Sequence, residues 1–331
     1  MMNKQFIKQT VSNGIVALTV IILGAFFMFT EPANAQKGMK APPPEKIKAI
    51  IIGDRVVDIA YNLGVLPEAM SVRGSMRPLA KQLKTASQIL GCPKCIVDKK
   101  PTIVPDTAKK RGIKRIIIEK HPNFCIYKPK VKPANVVPLL EGKGLTIEYV
   151  DFSQGIESAI RQTARLLNRE SMAKPLIARY KKAMAKAKSI LPKVKLGKRV
   201  LIINGTFQRS TGKSFLRIEA AGGYSDQYLL EPLGCINVGD VLKTKNKKVD
   251  KGHFSIRKLD ALAKAKPDVI VMTGDPFAVQ KALSAAVKKN PALAQVPAIR
   301  DLAIYSLPFY ADSSVIEYPA ILRQWAVALN D

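Results

Sequence analysis

Short apolar runs alternate with segments of helical spacing along most of the chain. Buried strands are predicted where such runs end at a glycine or a charged residue, as over residues 47–52 and 115–119. A helix is predicted where apolar residues recur every three or four positions, as over residues 156–167. Strand, helix and strand within about 30 residues form a βαβ unit, which implies a parallel sheet with helices on its faces. The pattern therefore predicts an α/β protein.

The alternation continues on both sides of one long helix. The other predicted strands are residues 70–72, 145–150, 199–203, 269–272 and 303–305, and the other predicted helices are residues 55–63, 79–90, 107–112, 135–142, 215–221, 256–264, 278–288 and 319–329. Residues 169–191 carry one apolar stripe over about six turns, a length of roughly 33 Å. We expect two Rossmann-like, three-layer lobes, residues 46–168 and 193–331, bridged by a single long backbone helix within residues 169–192.

The first residues have the three-part layout of a secretory signal peptide. Lys4 and Lys8 precede an apolar run over residues 15–29, and Ala33-Asn34-Ala35 is a small-residue cleavage site. We expect residues 1–35 to be removed on export, residues 36–45 to form a flexible proline-rich leader, and the mature chain to be a soluble periplasmic monomer without stable membrane insertion.

Charge narrows the range of partners. The chain has 54 Lys and Arg against 25 Asp and Glu, a formal net charge of +29. Such a field attracts anions. Nucleic acid is not expected, because the basic residues are scattered, aromatic residues make up only 6% and no recognition motif occurs. An anionic small molecule fits better, although a lysine-rich solvated surface would give the same composition.

Several segments, taken in order, resemble one family. They are residues 55–65 (RVVDIAYNLGV), 160–168, 173–188, 211–215 (TGKSF), 220–223 (AAGG) and 266–271 (KPDVIV). Together they resemble the periplasmic binding proteins of cobalamin, ferric-siderophore and heme ABC importers, whose two lobes are bridged by one helix. The chain departs from that pattern at residues 112–118, where no Pro-Asp precedes the strand. The resemblance implies capture of an anionic metal chelate in the cleft between the lobes and delivery to a permease, with Glu219 as a surface acid that docks on it.

Loops at the carboxyl ends of parallel strands line the ligand crevice of open α/β sheets. Arginines there suit a carboxylate or phosphate group, and aromatic side chains suit a planar or bulky partner. The candidate ligand-binding residues are Arg55, Arg73, Met76, His121 and Tyr127 in the first lobe, and Phe207, Arg209, Asp275, Phe277 and Tyr310 in the second.

The cysteines leave three interpretations open. Cys92 and Cys95 form a C-x-x-C motif, and Cys125 and His121 follow in the same lobe. The pair could be a disulfide, as an oxidising compartment allows. The four residues could together hold a soft metal ion. A thiol–disulfide oxidoreductase would require a thioredoxin-like setting, which the predicted helix before the pair disfavours.

Enzyme chemistry is not expected from the motifs present. Residues 210–214 (STGKS) imitate part of a P-loop, but Phe207 stands where that loop requires glycine. With two histidines and no nucleophile or metalloprotease motif, we expect a binding protein that needs no cofactor.

Overall fold

The computed structural model describes residues 44–73 and 83–330. The predicted signal peptide, most of the predicted leader and Met76 lie outside the described residues. Among the helices of the described ranges, none combines the length and apolar composition that crossing a membrane requires.

The first lobe is built on a five-stranded parallel sheet of order β3-β2-β1-β4-β5. Its central strand is apolar on both sides: Ile51 packs into one core, and Ile50 and Ile52 into the other. Helices cover both faces, as a parallel sheet requires. The elements are β1 Glu45–Ile52, α1 Asp54–Asn62, β2 Val65–Ser71, β3 Gln88–Gly91, α2 Pro93–Asp98, α3 Ile103–Arg111, β4 Arg115–Lys120, a 3₁₀ turn at Pro133–Leu139, β5 Thr146–Asp151 and α4 Gly155–Leu166.

The second lobe has a six-stranded mixed sheet of order β11-β10-β6-β7-β9, with β8 beside β6. Strands β11, β10, β6 and β8 pair in parallel, and β7 and β9 add antiparallel. The two-sheet α/β class predicted from the sequence is confirmed. The elements are β6 Arg199–Gln208, β7 Lys213–Glu219, a π turn at Asp226–Leu230, α6 Glu231–Leu233, β8 Ile236–Asn237, 3₁₀ turns at Gly239–Leu242 and Pro291–Gln295, β9 His253–Ile256, α7 Leu262–Ala265, β10 Val269–Gly274, α8 Pro276–Lys289, α9 Pro297–Arg300, β11 Ile304–Ser306 and α10 Tyr318–Asn330.

One 20-residue helix, α5 (Glu170–Ser189), connects the two sheets. It packs against α4 on one side and α10 on the other. Leu176 and Ile177 belong to the first-lobe core, whereas Ala187 belongs to the second. The helix is therefore part of both cores, which limits how far the lobes can move independently.

Four predicted helices are wrong in part or in full. Where an α-helix was predicted over residues 135–142, the structure has the 3₁₀ turn Pro133–Leu139. The helix predicted over residues 79–90 ends too late, because residues 88–91 are the edge strand β3. Residues 215–221 are not helical, since β7 alternates exposed and buried positions against β6. In the helix predicted over residues 256–264, Ile256 ends strand β9 and only the last residues are helical. In these last three cases pairing with another strand determines the structure, and β7 forms a hairpin with β6, the strand directly before it.

We predict that Trp325→Ala destabilises the protein by about 3–5 kcal/mol. The Trp325 side chain is fully buried, and its Nε1 donates to the Pro308 carbonyl at 2.9 Å. The measurement is urea unfolding followed by circular dichroism. Val327→Ala on the same helix is the control, because Val327 is 51% exposed; its effect should stay within about 0.5 kcal/mol. Equal losses in the two variants would contradict the placement of α10.

Candidate ligand-binding cleft

Charged side chains gather where the strands of the first sheet end. Asp54 and Arg55 follow β1, Arg73 follows β2, and Glu119 lies near the end of β4. All four are buried, with exposed fractions between 0% and 8%. Carboxyl ends of parallel strands meet at one edge of a sheet, so this grouping follows from the topology.

Asp312 enters the same group from the second lobe, on the loop between β11 and α10. Its carboxylate accepts from Arg73 at 2.9 Å and forms a close ion pair with Arg55. Its carbonyl oxygen also accepts from Arg55 Nε at 3.2 Å. We call Asp54, Arg55, Arg73, Glu119 and Asp312 the buried ion cluster. It joins the two lobes directly.

The arginines of this cluster already have partners. Arg55 pairs with Glu119 at 2.9 Å, and Arg73 pairs closely with Asp54. Arg73 also donates to the Phe124 carbonyl and the Tyr224 hydroxyl, both at 2.7 Å. Burial raises the pKa of Glu119 to about 7, against the attraction of Arg55. Three acids therefore face two arginines, which leaves no surplus positive charge there for an anionic ligand.

Backbone geometry supports the cluster. Gly53 has a φ of 133°, and a Cβ at this position would lie 2.2 Å from Glu119 Cβ. Only glycine lets Glu119 reach back and accept from the Arg55 backbone N–H at 3.0 Å. Asp312 has a φ of 51°, an unfavourable conformation for a non-glycine residue. Its ion pairs with both arginines offset that cost.

Tyr127 makes a second contact between the lobes. Its hydroxyl accepts from the Tyr224 backbone N–H at 3.3 Å, and its ring meets Tyr224 edge-on at 5.1 Å. A Cβ on Gly252 would lie 2.3 Å from that hydroxyl.

Tyr310 is only 3% exposed and contacts Tyr228 and Tyr318. Tyr310 thus fills the second-lobe core.

A more exposed aromatic pair lies at the ends of β6 and β10. Phe207 and Phe277 meet edge-on at 4.9 Å, and Lys281 Nζ lies 5.3 Å from the Phe207 ring centroid. Phe277 is 53% exposed, and the nearby Arg209 is exposed. We call Phe207, Phe277 and Lys281 the aromatic–cation patch. Asp275 does not face a ligand here: it caps α8 by accepting from the Phe277 N–H at 3.0 Å.

The predicted four-residue metal site is not assembled. Cys92 and Cys95 are adjacent, but in the described part of the chain no three His, Cys, Asp or Glu side chains form a group that could hold a metal ion. His121 instead accepts from the Asn123 N–H at 3.0 Å, and burial lowers its pKa. Cys125 lies on the loop that follows β4, whereas the C-x-x-C pair lies at the start of helix α2.

The expectation of a surface docking acid at Glu219 is not met. Its side chain is fully buried at the end of β7 and accepts from Ser225 Oγ at 2.8 Å and Ser225 N at 3.2 Å. Burial raises its pKa to about 8, although both hydrogen bonds from Ser225 act in the opposite direction. As placed, this carboxyl group holds the Ala220–Ser225 turn and is not available to another protein.

Sequence reasoning found the arginines and missed their acidic partners. Asp54 directly follows a buried strand and Glu119 sits near the end of another, so their positions offered a signal. Asp312 offered a signal too, because it lies on the strand-end loop that carries the candidate Tyr310. Lys281 offered less, because nothing local distinguishes it from a solvated surface charge.

A sequence model of the periplasmic binding protein family matches residues 96–311, more than half of the chain. The chain belongs to this family, whose members are binding proteins. None of the curated protein sequences compared with the chain matches it.

Solved structures agree with this assignment at the level of fold. The heme-binding protein RhuT from Roseiflexus sp. RS-1 aligns with a TM-score of 0.54 at 14% identity, covering 86% of this chain and 98% of RhuT. The iron-uptake binding protein FeuA from Bacillus subtilis has a TM-score of 0.54 at 17% identity, covering 85% and 94%. The periplasmic heme-binding protein BhuT, in complex with two hemes, has a TM-score of 0.52 at 16% identity, covering 86% and 100%.

We predict that Asp312→Asn destabilises the protein by about 1.5–3 kcal/mol, because each buried arginine keeps one carboxylate partner but loses its charge-assisted contact with Asp312. Urea unfolding gives the free energy, and hydrogen exchange near Arg55 and Arg73 should increase. The control is Asp301→Asn, which removes an exposed ion pair with Arg300 and should change stability little. Unchanged stability of Asp312→Asn would show that the cluster does not join the lobes.

Stability should fall as pH rises from about 5 to 8. Folded Glu219 holds its proton up to a pKa of about 8, whereas the unfolded residue releases it near the ordinary value of 4.5. The folded state therefore binds more protons in this range, so raising the pH favours unfolding. In Glu219→Gln the decline should be shallower, by up to about 1.4 kcal/mol per pH unit. Unfolding free energies at several pH values test this, and identical slopes would contradict it.

Proposed function

We propose that this protein is the extracytoplasmic solute-binding component of an ABC importer, which captures a metal chelate between its lobes and delivers it to the permease. The observation that carries the proposal is the architecture. The two α/β lobes meet at loops that follow their parallel strands, where Asp312 pairs with Arg55 and Arg73, and one helix shared by both cores bridges the lobes. The chain's membership of the periplasmic binding protein family supports the same conclusion.

The proposed ligand class is an anionic chelate with a flat or aromatic surface, such as heme, a ferric siderophore or a corrinoid. RhuT and BhuT are heme-binding proteins, and FeuA is the binding protein of an iron-uptake system. In this chain, the aromatic–cation patch supports the proposal: exposed Phe277 offers a ring edge and face, and Lys281 adds positive charge. The net charge of +29 would attract such an anion from a distance.

Capture needs no chemistry on the ligand. Binding energy comes from removing ligand surface from water and from a few oriented polar contacts. Helix α5 keeps lobe movement small, and the buried ion cluster adds a polar contact that must separate when the lobes part. Water can solvate the separated charges, so opening costs less than deleting one of them. Release would follow when the permease pulls the lobes apart.

Other properties belong to the same proposal. We infer that the protein is exported through the signal peptide predicted over residues 1–35, acts as a monomer, and catalyses no reaction. His121, Tyr127, Arg209 and Phe207 remain proposed ligand contacts, because they are at least partly accessible at the lobe boundary or at the strand ends. Arg55 and Arg73 would contribute by fixing the cleft wall.

The test is isothermal titration calorimetry of the mature protein with heme, a ferric catecholate siderophore and cyanocobalamin. We expect 1:1 binding to one of them with a Kd of about 1 µM or lower. Phe277→Ala combined with Lys281→Ala should weaken that binding about tenfold or more, because both face contacts and positive charge are lost.

Tyr149→Ala is the matched control. Tyr149 is an aromatic residue of β5, 44% exposed, and lies outside the patch. No heat with any of the three chelates would reject the ligand class. Equal weakening by the control would reject the patch as the site.

A further inference from the structure

The C-x-x-C motif occupies a different setting from the one the sequence suggested. It follows strand β3 and begins helix α2: Cys92 is the residue before Pro93, and Cys95 lies in the first turn. The carbonyl of Gly91 accepts from Val72 N and Ser71 Oγ, both at 3.0 Å. These hydrogen bonds hold the motif at the carboxyl end of β2, close in the chain to Arg73. The carboxyl ends of these strands are the part of the first sheet that meets the second lobe.

The two thiols are held together. Cys92 Sγ and Cys95 Sγ are 2.9 Å apart, and both residues are half-buried. Pro93 and Ile96 are buried, and they fix the position of the helical turn that carries the two cysteines. Gly91 has a φ of 125°, and a Cβ there would lie 3.3 Å from Cys95 Cβ. A short movement of either sulfur would bring the pair to bonding distance.

Their surroundings favour reaction at one of the two sulfurs. The pKa of Cys95 is lowered, first by the hydrogen bond from Cys92 and then by the positive charges of Lys99 and Lys251. Burial raises the pKa of Cys92, and likewise that of Cys235. A more readily formed thiolate is the more available nucleophile.

We propose that Cys92 and Cys95 are a reversible dithiol–disulfide site on the first-lobe side of the cleft. This site exchanges with low-molecular-weight disulfides in the compartment to which the protein is exported. The inference does not depend on the identity of the transported ligand. It rests on the two thiols, 2.9 Å apart, on their partial exposure and on their place at the start of helix α2.

The exchange proceeds in two steps. The Cys95 thiolate attacks one sulfur of the external disulfide, forming a mixed disulfide and releasing one thiolate, which takes up a proton. Cys92 then loses its proton to water and attacks Cys95 Sγ, expelling the second thiolate. Two cysteine thiols are oxidised to one disulfide, and the external disulfide is reduced to two thiols.

The probe is glutathione, oxidised and reduced, added to the folded protein over a range of ratios. Free thiols are trapped with N-ethylmaleimide and located by mass spectrometry after digestion. At high glutathione disulfide we expect the peptide with Cys92 and Cys95 to carry no N-ethylmaleimide and to be two hydrogen atoms lighter than the unlabelled dithiol. At high reduced glutathione the same peptide should carry two N-ethylmaleimide groups. Cys235 should react at least about tenfold more slowly, because the pKa of its thiol is raised by burial.

Single variants distinguish exchange from simple oxidation. Cys92→Ser should accumulate a stable glutathione adduct on Cys95, because the second thiol that resolves it is gone. Cys235→Ser should behave as the unchanged protein. Thiols at 92 and 95 that stay reduced in glutathione disulfide alone overturn the proposal. So does a 92–95 disulfide that reduced glutathione cannot open, since that would be a permanent structural crosslink.

Discussion

One buried carboxylate makes the ionic contact between the two lobes of this protein. Asp312, carried by the second lobe, pairs with both Arg55 and Arg73 of the first, and those arginines are already held by Asp54 and Glu119. Charges taken out of water are stable only when their partners are in place. The position of the β11–α10 loop, the strained backbone at Asp312 and the close approach at Gly53 all follow from that requirement.

Much of the fold could be read from local pattern. The apolar runs of β1, β4 and β10 are buried on both faces, and their composition shows it directly. The bridging helix was visible because one stripe repeats over 20 residues. Strands β3, β7 and β9 were missed or misread as helix. Two of them are four residues long, and β7 mixes charged and apolar residues. Their structure comes from pairing with other strands, which the spacing of apolar residues within one segment does not reveal.

The cleft was predictable to a lesser degree. Strand-end rules located Arg55, Arg73, Phe207 and Phe277, because topology alone places such residues at one edge. These rules do not predict which acidic side chain will pair with which arginine. Arg55 and Asp312 are separated by 257 positions, and Glu219 became a buried group only because Ser225 folds back onto it. The C-x-x-C pair is a simpler case. Strand β3 pairs with β2, so the cysteines that follow β3 lie near Arg73, which follows β2.

The loop between β11 and α10 also completes the first lobe's interior. Val315 and Ile316 pack against that lobe's core, and Asp58 accepts from the Ile316 N–H at 2.9 Å. The core of the first lobe is therefore incomplete until the segment that contains Val315 and Ile316 has been synthesised. Such a chain cannot finish folding from its N-terminus onward during synthesis. This delay is compatible with the proposed export, in which the chain would cross a membrane before it folds.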